Sequence, residues 1–260
     1  MRLFDRNTQG IEPTEYGRAM LKHGGAALDE LKQGVKHIEL LADPGAGEVR
    51  IGSRPYSAEI FVSAVIKRLS RRYPRIVFHL VTAEETGTLH HELRERNIDL
   101  LVARRVGPFT NEKFGFEFLY DSSFVVAAGA RNPWVRSRRV ALAELVNEPW
   151  VLPPPGGVLG PAYLEAFRAS GLDYPRTTVF AAPPGVRLNL LATGRFLTIV
   201  PLSALRLSKR QGIRVLPVEL QHARVPFGIV TLKSRTLSPV AQLFISDARE
   251  IAKPLARKKW

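Results

Sequence analysis

The chain has 260 residues, of which 45% are hydrophobic, so it can bury one large core or two moderate ones. It contains no cysteine, which excludes disulfides, thiolate metal sites and a cysteine nucleophile. We find no apolar run of about 18 residues and no export leader, so we expect a cytoplasmic protein that does not enter a membrane.

The net charge of +14 favours an anionic partner. Residues 1–40 are nevertheless neutral, with six basic and six acidic side chains, so the excess lies in the body and the C-terminal tail. Two interpretations stay open. The basic residues form an ordinary solvated surface, or the body holds an anionic ligand or lies near a phosphate backbone.

A single long helix is predicted from Thr14 to Asp43. Thr14 is a suitable N-cap, and the Pro44-Gly45-Ala46-Gly47 run ends the helix. Apolar and small residues then recur in alternating steps of three and four, which is the seam of a coiled coil. This seam consists of Leu21, Gly24, Leu28, Leu31, Val35, Ile38 and Ala42.

About thirty helical residues extend roughly 45 Å, which is too long for packing on one small domain. We therefore expect the seam to join copies of the chain in a homodimer or homotetramer. The residues predicted to mediate this contact are Leu21, Leu28, Leu31, Val35 and Ile38. The alternative is an amphipathic helix folded back on its own body.

Strands and helices alternate after the glycine-rich hinge, which predicts an α/β fold with a parallel sheet covered by helices on both faces. A second α/β unit begins near Phe118, and its first strand is predicted over Phe124–Ala128. The last helix is predicted over Pro239–Ala256 and returns to the first unit. This order indicates two Rossmann-like lobes around a cleft, as in periplasmic binding proteins of type 2, preceded by a long linker helix.

Residues 3–17 resemble the wing and linker entry of LysR-type transcriptional regulators. The pattern of that family is Leu-Phe-x-Arg, a glycine turn and Leu-Thr-x-x-Gly, with Pro13 here replacing the usual leucine. The matching residues are Leu3, Phe4, Arg6, Gly10, Thr14 and Gly17. The sequence of the wing resembles that of one subgroup of the family. This subgroup includes regulators of protocatechuate genes and of genes for sugar-binding proteins, among them the galactose-binding protein.

Four later segments continue the resemblance over essentially the whole chain. Leu93–Leu100 is similar to the family signature Leu-x-x-Gly-x-Leu-Asp-Leu, with Asn97 as the departure. The other three are Asn132-Pro133-Trp134, the segment Ala192–Pro201 and Leu237-Ser238-Pro239. The resemblance implies a wing remnant at 1–13, a linker helix at 14–46, lobe I at 47–118 and 224–260, and lobe II at 119–223.

In this family a helix-turn-helix that reads DNA precedes the wing, so the resemblance implies a regulator fragment without most of that domain. Arg6 is similar to the family's DNA-contacting arginine, although a surface arginine at a turn is the alternative. DNA is then a partner of the longer protein, and a wing alone positions without specifying sequence.

Ligand-binding residues are predicted at strand ends and helix starts, where open α/β sheets bind ligands. By resemblance, the loop after the first strand and Thr86 line the effector cleft. The predicted set is Tyr56, Ser57, Thr86, Arg104, Pro154, Ala182, Thr198 and Ile199. Simple helix capping by Ser57 or Thr86, and a solvated Arg104, are the alternatives.

The effector is expected to be a carboxylate, from the basic and hydroxyl groups, or a sugar, from the subgroup. The six histidines lack the spacing of a zinc site, and Ser203 lacks a nucleophile elbow, so we expect no enzyme, metal or cofactor. A free-standing solute-binding protein is the rival hypothesis, and it would be a monomer.

Overall fold

The computed structural model describes residues 1–7, 10–43, 45–105, 112–157, 160–208, 212–220 and 224–256. Pro44, part of the predicted helix stop, lies outside these residues. The chain begins with an antiparallel hairpin of β1 (Phe4–Asn7) and β2 (Gly10–Pro13). The long helix α1 (Glu15–Ala42) follows, close to its predicted bounds.

Thr14 and Gly17 fasten the hairpin to the start of α1. The Thr14 hydroxyl oxygen accepts a hydrogen bond from the Gly17 amide at 3.1 Å, which satisfies an N–H at the helix start. A Cβ atom on Gly17 would lie only 2.0 Å from the carbonyl oxygen of Leu3. Glycine is therefore required for the hairpin to pack this closely against the helix.

The rest of the chain alternates helices and strands in two lobes. In chain order the elements are β3 (Ala46–Ser53), α2 (Pro55–Ser57), a π-helical turn (Ala58–Val62), α3 (Ser63–Arg72), β4 (Arg75–Thr82), α4 (Thr86–Arg94), β5 (Leu100–Arg104), β6 (Phe114–Gly129), 3₁₀ turns (Pro133–Arg136 and Leu142–Leu145), β7 (Trp150–Leu152), α5 (Gly160–Arg168), β8 (Thr177–Phe180), α6 (Pro184–Ala192), β9 (Leu197–Pro201), α7 (Leu202–Ser208), β10 (Ile213–Val215), β11 (Arg224–Leu232) and α8 (Pro239–Ala256).

Strands β3 to β11 form one mixed sheet in the order β4-β3-β5-β11-β6-β9-β7-β8, with β10 also on β6. Strand β3 is parallel to β4 and β5, and β7 is parallel to β8 and β9. Strands β6 and β11, however, are antiparallel to their neighbours. The parallel sheet expected from the first βα repeats is confirmed for β3, β4 and β5, whereas the whole sheet is mixed, because β6 leaves lobe I and β11 runs back beside it.

The 16-residue strand β6 connects the lobes, and the predicted strand over Phe124–Ala128 is only its second half. Its first half pairs with β11, whereas residues 124–128 pair with β9. The predicted lobe boundaries, after residue 118 and before residue 224, fall at these two shared strands. The division of the chain at those positions stays a prediction.

Alternating side chains of β5 show how the sheet is covered on both faces. Leu100 and Val102 join the cluster under α3 and α8, which includes Phe244. Leu101 and Ala103 face the opposite cluster under α4. This alternation follows from the two-residue period of a strand, and it gives the two helical layers that the sequence predicts.

Several short elements are not regular α-helices. Leu142–Leu145 forms a 3₁₀ turn, and the short helix α7 directly follows β9. Helix α3 is preceded by α2 and by a π-helical turn. Such turns frequently mark functional sites in helices.

One face of α1 docks on lobe I of its own chain through Asp29. Both carboxylate oxygens of Asp29 accept hydrogen bonds from Arg235, at 2.9 and 3.0 Å, and Arg96 donates a third. Arg235 also donates to the Ile98 carbonyl oxygen at 2.7 Å and lies 2.9 Å from Asp99. We call Asp29, Arg96, Asp99 and Arg235 the Asp29 network.

Arg96 adopts a left-handed backbone conformation, with φ of 63°. It stands where the family signature has glycine, so the departure with a structural effect is Arg96 and not Asn97. A non-glycine residue in this conformation costs about 1 kcal/mol or more. Its guanidinium group compensates by binding Asp29.

The opposite face of α1 carries the predicted seam, and that seam is exposed in the single chain. The exposed fractions are 56% for Leu21, 62% for Leu28, 69% for Leu31, 54% for Val35 and 67% for Ile38. Gln33, on the docked face, is only 4% exposed. The helix thus folds back on its own lobe and still presents an apolar stripe, so the two alternatives coexist.

We predict that Asp29→Asn destabilises the protein by about 1–3 kcal/mol, because it removes a charged acceptor from buried Arg235. Burial raises the pKa of Asp29, but hydrogen bonds and charge from Arg96 and Arg235 outweigh it, so that pKa is lowered. The contribution is present above the ordinary pKa of 3.8 and is lost as the pH falls further. Urea unfolding at several pH values measures both effects.

The exposed neighbour provides the control, since Glu30→Gln removes a carboxylate on the same helix turn without touching lobe I. An Asp29→Asn protein as stable as the Glu30→Gln protein at neutral pH would contradict this account of the docking.

Candidate functional site

A cavity of about 190 Å³ lies where the carboxyl ends of strands from both lobes meet. Lobe I contributes residues that directly follow or end β3, β4 and β5, and lobe II contributes residues after β7 and β8 and from α6. The lining residues are Arg54, Tyr56, Glu84, Arg104, Pro153, Pro154, Gly157, Ala182, Pro184 and Arg187.

Arg104 is the last residue of β5 and reaches into this cavity among aromatic rings. Its guanidinium carbon lies 5.8 Å from the ring centre of Tyr56, 5.6 Å from that of Phe124 and 5.9 Å from that of Phe227. Its Nε donates to the Ser122 hydroxyl at 3.3 Å. These contacts hold the cation by its π-faces and leave it available to an anion.

Arg187 brings a second cation from lobe II and is only 1% exposed. One terminal nitrogen donates to the carbonyl oxygens of Ala181 and Ala182, at 2.7 and 2.9 Å. Its guanidinium carbon lies 5.9 Å from the ring centre of Tyr56. Arginines of both lobes therefore lie near the ring of Tyr56.

Arg54 is the third cation, at the loop between β3 and α2. Its side chain is 16% exposed, and it lies 3.4 Å from Glu84, which is 63% exposed. Burial lowers the pKa of Arg54, the contact with Glu84 raises it, and the charge of nearby Arg104 lowers it again. Burial also raises the pKa of Tyr56, so its phenol stays protonated at neutral pH.

Three buried polar atoms at this cavity have no hydrogen-bond partner. They are the Nε atoms of Arg54 and Arg187 and the hydroxyl oxygen of Tyr56. Within the described part of the chain only one other side-chain atom, Oε1 of Gln33, shares this condition. Buried donors without acceptors are costly, so this wall is suited to a ligand that supplies acceptors.

A larger cavity of about 1,130 Å³ lies among β6, β10 and α8 and is lined by residues such as Phe118 and Leu216. None of the unpartnered buried atoms found in the described residues belongs to it. The small cavity is therefore chemically better suited to bind a ligand.

The predicted ligand-binding residues are only partly brought together. Tyr56, Arg104, Pro154 and Ala182 line the small cavity. Ser57 is 3% exposed inside the turn after Tyr56, and Thr86 starts α4 outside the lining set.

The two predicted residues of β9 point into the interior of lobe II. The Thr198 hydroxyl donates to the Val151 carbonyl oxygen at 2.6 Å. Ile199 is fully buried in the lobe II core. The geometry gives neither side chain access to the cavity, because a strand's side chains alternate across its faces and both faces here are covered. Arg6 lies exposed on the terminal hairpin.

The sequence analysis missed Arg187 and Glu84, and it did not single out Arg54 within the loop that it expected to line the cleft. A signal for Arg187 exists in α6, where the buried positions are Pro184, Arg187, Leu188 and Leu191. This spacing is one face of a helix, and an arginine on the apolar face needs an acceptor inside the protein.

The described residues hold no group of three or more histidine and acidic side chains placed to bind a metal ion. No helix among them combines the length and the apolar composition needed to cross a lipid bilayer.

Residues 42–253 match the family model described as the LysR substrate binding domain. The chain belongs to the LysR family. Its relatives are transcriptional regulators, and the two-lobe α/β fold is the periplasmic-binding-protein-like fold of that domain. The regulator GbpR of Azospirillum brasilense is 26% identical over 249 residues, which cover 95% of this chain and 72% of GbpR.

Solved structures of LysR regulators share the fold. Full-length CbnR in complex with its target DNA matches 97% of this chain and 84% of its own, with a TM-score of 0.63 and 17% identity. The effector binding domain of QuiR, in complex with shikimate, matches 81% of this chain and 99% of its own, with a TM-score of 0.60 and 15% identity.

We predict that Tyr56→Phe leaves this LysR protein as stable as the wild type without ligand, or up to about 1 kcal/mol more stable, because the hydroxyl is buried without a partner. Tyr163→Phe is the matched control. Its hydroxyl donates to the Ile199 carbonyl oxygen at 3.0 Å, so its removal should cost about 1 kcal/mol. Urea unfolding of both variants tests the contrast, which would be contradicted by an equal loss in both.

Proposed function

We propose that this LysR-type regulator senses a small anionic effector in the interlobe cavity formed by Arg54, Tyr56, Arg104 and Arg187. The observation that carries the proposal is the set of unpartnered buried donors on that wall. An anion with oxygen acceptors would satisfy Arg54 and Arg187 and could accept from the Tyr56 hydroxyl. A neutral sugar supplies acceptors but no charge, so the cavity favours the carboxylate of the two expected effectors.

The size of the cavity supports a compact ligand. Pockets for drug-sized molecules measure roughly 300–1,000 Å³, and this cavity is smaller. The QuiR domain in complex with shikimate is a precedent, in another protein, for a small organic molecule held by this fold.

The effector signal is proposed to travel through lobe closure. Tyr56 and Arg104 belong to lobe I, whereas Arg187 belongs to lobe II, so a bound anion contacts both. A ligand with higher affinity for one arrangement of the lobes raises the population of that arrangement. In an oligomer the change in lobe arrangement alters how bodies pack, and so the spacing of the DNA-binding domains carried by paired α1 helices.

The exposed seam of α1 supports the oligomer in this proposal. Leu28, Leu31 and Val35 are each more than half exposed, although they lie on one stripe of a helix whose other face is docked. An exposed apolar stripe of this length is typical of a protein–protein contact. DNA binding itself is proposed for the regulator through its family, with Arg6 as a candidate phosphate contact.

The anion site is tested by Arg104→Ala in a thermal-shift and titration screen of small organic acids. We expect the variant to bind hits roughly ten- to hundredfold more weakly, because a charged hydrogen bond contributes about 1.5–3 kcal/mol. Arg105→Ala is the control, since the exposed Arg105 lies over Phe116 and outside the cavity lining. Unchanged affinity for every hit in Arg104→Ala would contradict the proposed site.

The oligomer is tested by Leu31→Asp, which places a charge in the centre of the seam. Light scattering should show a dimer or tetramer for the wild type and smaller species for the variant, because a buried unpaired charge is costly. His37→Asp adds the same side chain outside the seam and should keep the wild-type size. A wild-type monomer that still binds anions would favour the rival, a solute-binding protein.

A further inference from the structure

We infer that the ligand of the interlobe cavity carries two negative charges, as a small dicarboxylate or a phosphate monoester does. This inference rests on the proposed function, and it adds the charge that the site selects. It comes from the balance of ionisable groups on the cavity wall.

Three guanidinium groups line the cavity, on Arg54, Arg104 and Arg187, and one carboxylate, on Glu84, faces them. The wall therefore carries an excess of two positive charges. Glu84 is 63% exposed and touches only Arg54, at 3.4 Å, so water screens much of its effect on the other two cations. A ligand with one charge would leave at least one of these cations uncompensated.

The surroundings of Arg187 and Arg104 favour a second negative charge on the ligand. Arg187 is 1% exposed, and its guanidinium group donates to two carbonyl oxygens and lies near the Tyr56 ring. Arg104 has a hydroxyl and three aromatic rings as neighbours. Neither has a carboxylate partner among the described residues. Uncompensated charge in such surroundings is costly, so charge neutralisation favours the dianion.

The arrangement of the cations across the cleft fits two acceptor groups on one ligand. Arg54 and Arg104 reach the cavity from lobe I, and Arg187 reaches it from lobe II. A dianion can bind arginines of both lobes with full charges, whereas a monoanion can do so only with one shared group. The two-charge ligand therefore also holds the lobes together more strongly.

The test compares ligands that differ by a single charge. Titration calorimetry with succinate and monomethyl succinate, and with the shorter and longer dicarboxylates and their monomethyl esters, measures the preference between ligands of nearly equal size. Methyl phosphate and the singly charged dimethyl phosphate form the second arm, which separates phosphate-type from carboxylate-type dianions. We expect at least one dianion to bind about tenfold or more tightly than its singly charged partner.

Removing one cation should abolish this preference. In Arg54→Gln the wall retains two guanidinium groups and Glu84, so the dianion should bind no more than a few fold more tightly than its singly charged partner. Arg187→Gln provides a second, independent variant if the first alters folding, and Arg105→Ala should keep the wild-type preference.

Equal affinity of the wild-type protein for each dianion and its singly charged partner would overturn the inference, while the anion site of the proposed function would stand. Absence of binding by every dianion at tens of millimolar would also overturn it. The proposed function fails separately, if Arg104→Ala leaves the affinity of every bound acid unchanged.

Discussion

A buried guanidinium group stays charged and presents five N–H donors, so the protein must surround it with acceptors or leave it for a ligand. This constraint accounts for two different regions of the molecule. Arg235 is enclosed by Asp29, Asp99 and the Ile98 carbonyl oxygen, and it fixes the linker helix on lobe I. Arg187 is still more deeply buried but has two carbonyl oxygens as acceptors and an unpartnered Nε. The protein supplies acceptors to the first arginine, whereas the second is one of the cations that we propose bind the effector.

The cleft and the connection between the lobes share Arg104. Its guanidinium group contacts Phe227 on β11 and Phe124 on β6, the two strands that join the lobes, and it donates to Ser122 on β6. In the proposed function, a ligand that binds Arg104 therefore lies beside the two strands through which the chain passes between the lobes.

The sequence predicted the elements whose signals are local. Helices α1 and α8 have caps and a helical period, and the short buried strand β7 is a continuous apolar run between turns. The prediction included only the second half of β6, because Asp121, Ser122 and Ser123 interrupt its apolar pattern where the strand crosses between the lobes. The antiparallel pairing of β6 and β11 is set by partners about a hundred residues apart, which no local pattern encodes.

At the cavity, strand-end reasoning found Tyr56, Arg104, Pro154 and Ala182, because the ends of neighbouring strands share an edge of the sheet. Thr198 and Ile199, which it also included, are not among the cavity-lining residues, and their side chains face the interior of lobe II. Arg187 required a different signal, the position of a charge on the apolar face of α6. Reading helix faces for charges would have added Arg187 to the predicted cations.

The turn with the left-handed residue Arg96 connects the linker helix to strand β5. Arg96 forms an ion pair with Asp29 of that helix, and Asp99 in the same turn binds Arg235. Strand β5 begins immediately afterwards at Leu100, and its fifth and last residue is Arg104. One extended strand thus connects the residues that hold the helix to a cation of the cavity. If the cavity is the effector site that we propose, a tilt of α1 is expected to displace Arg104 through β5.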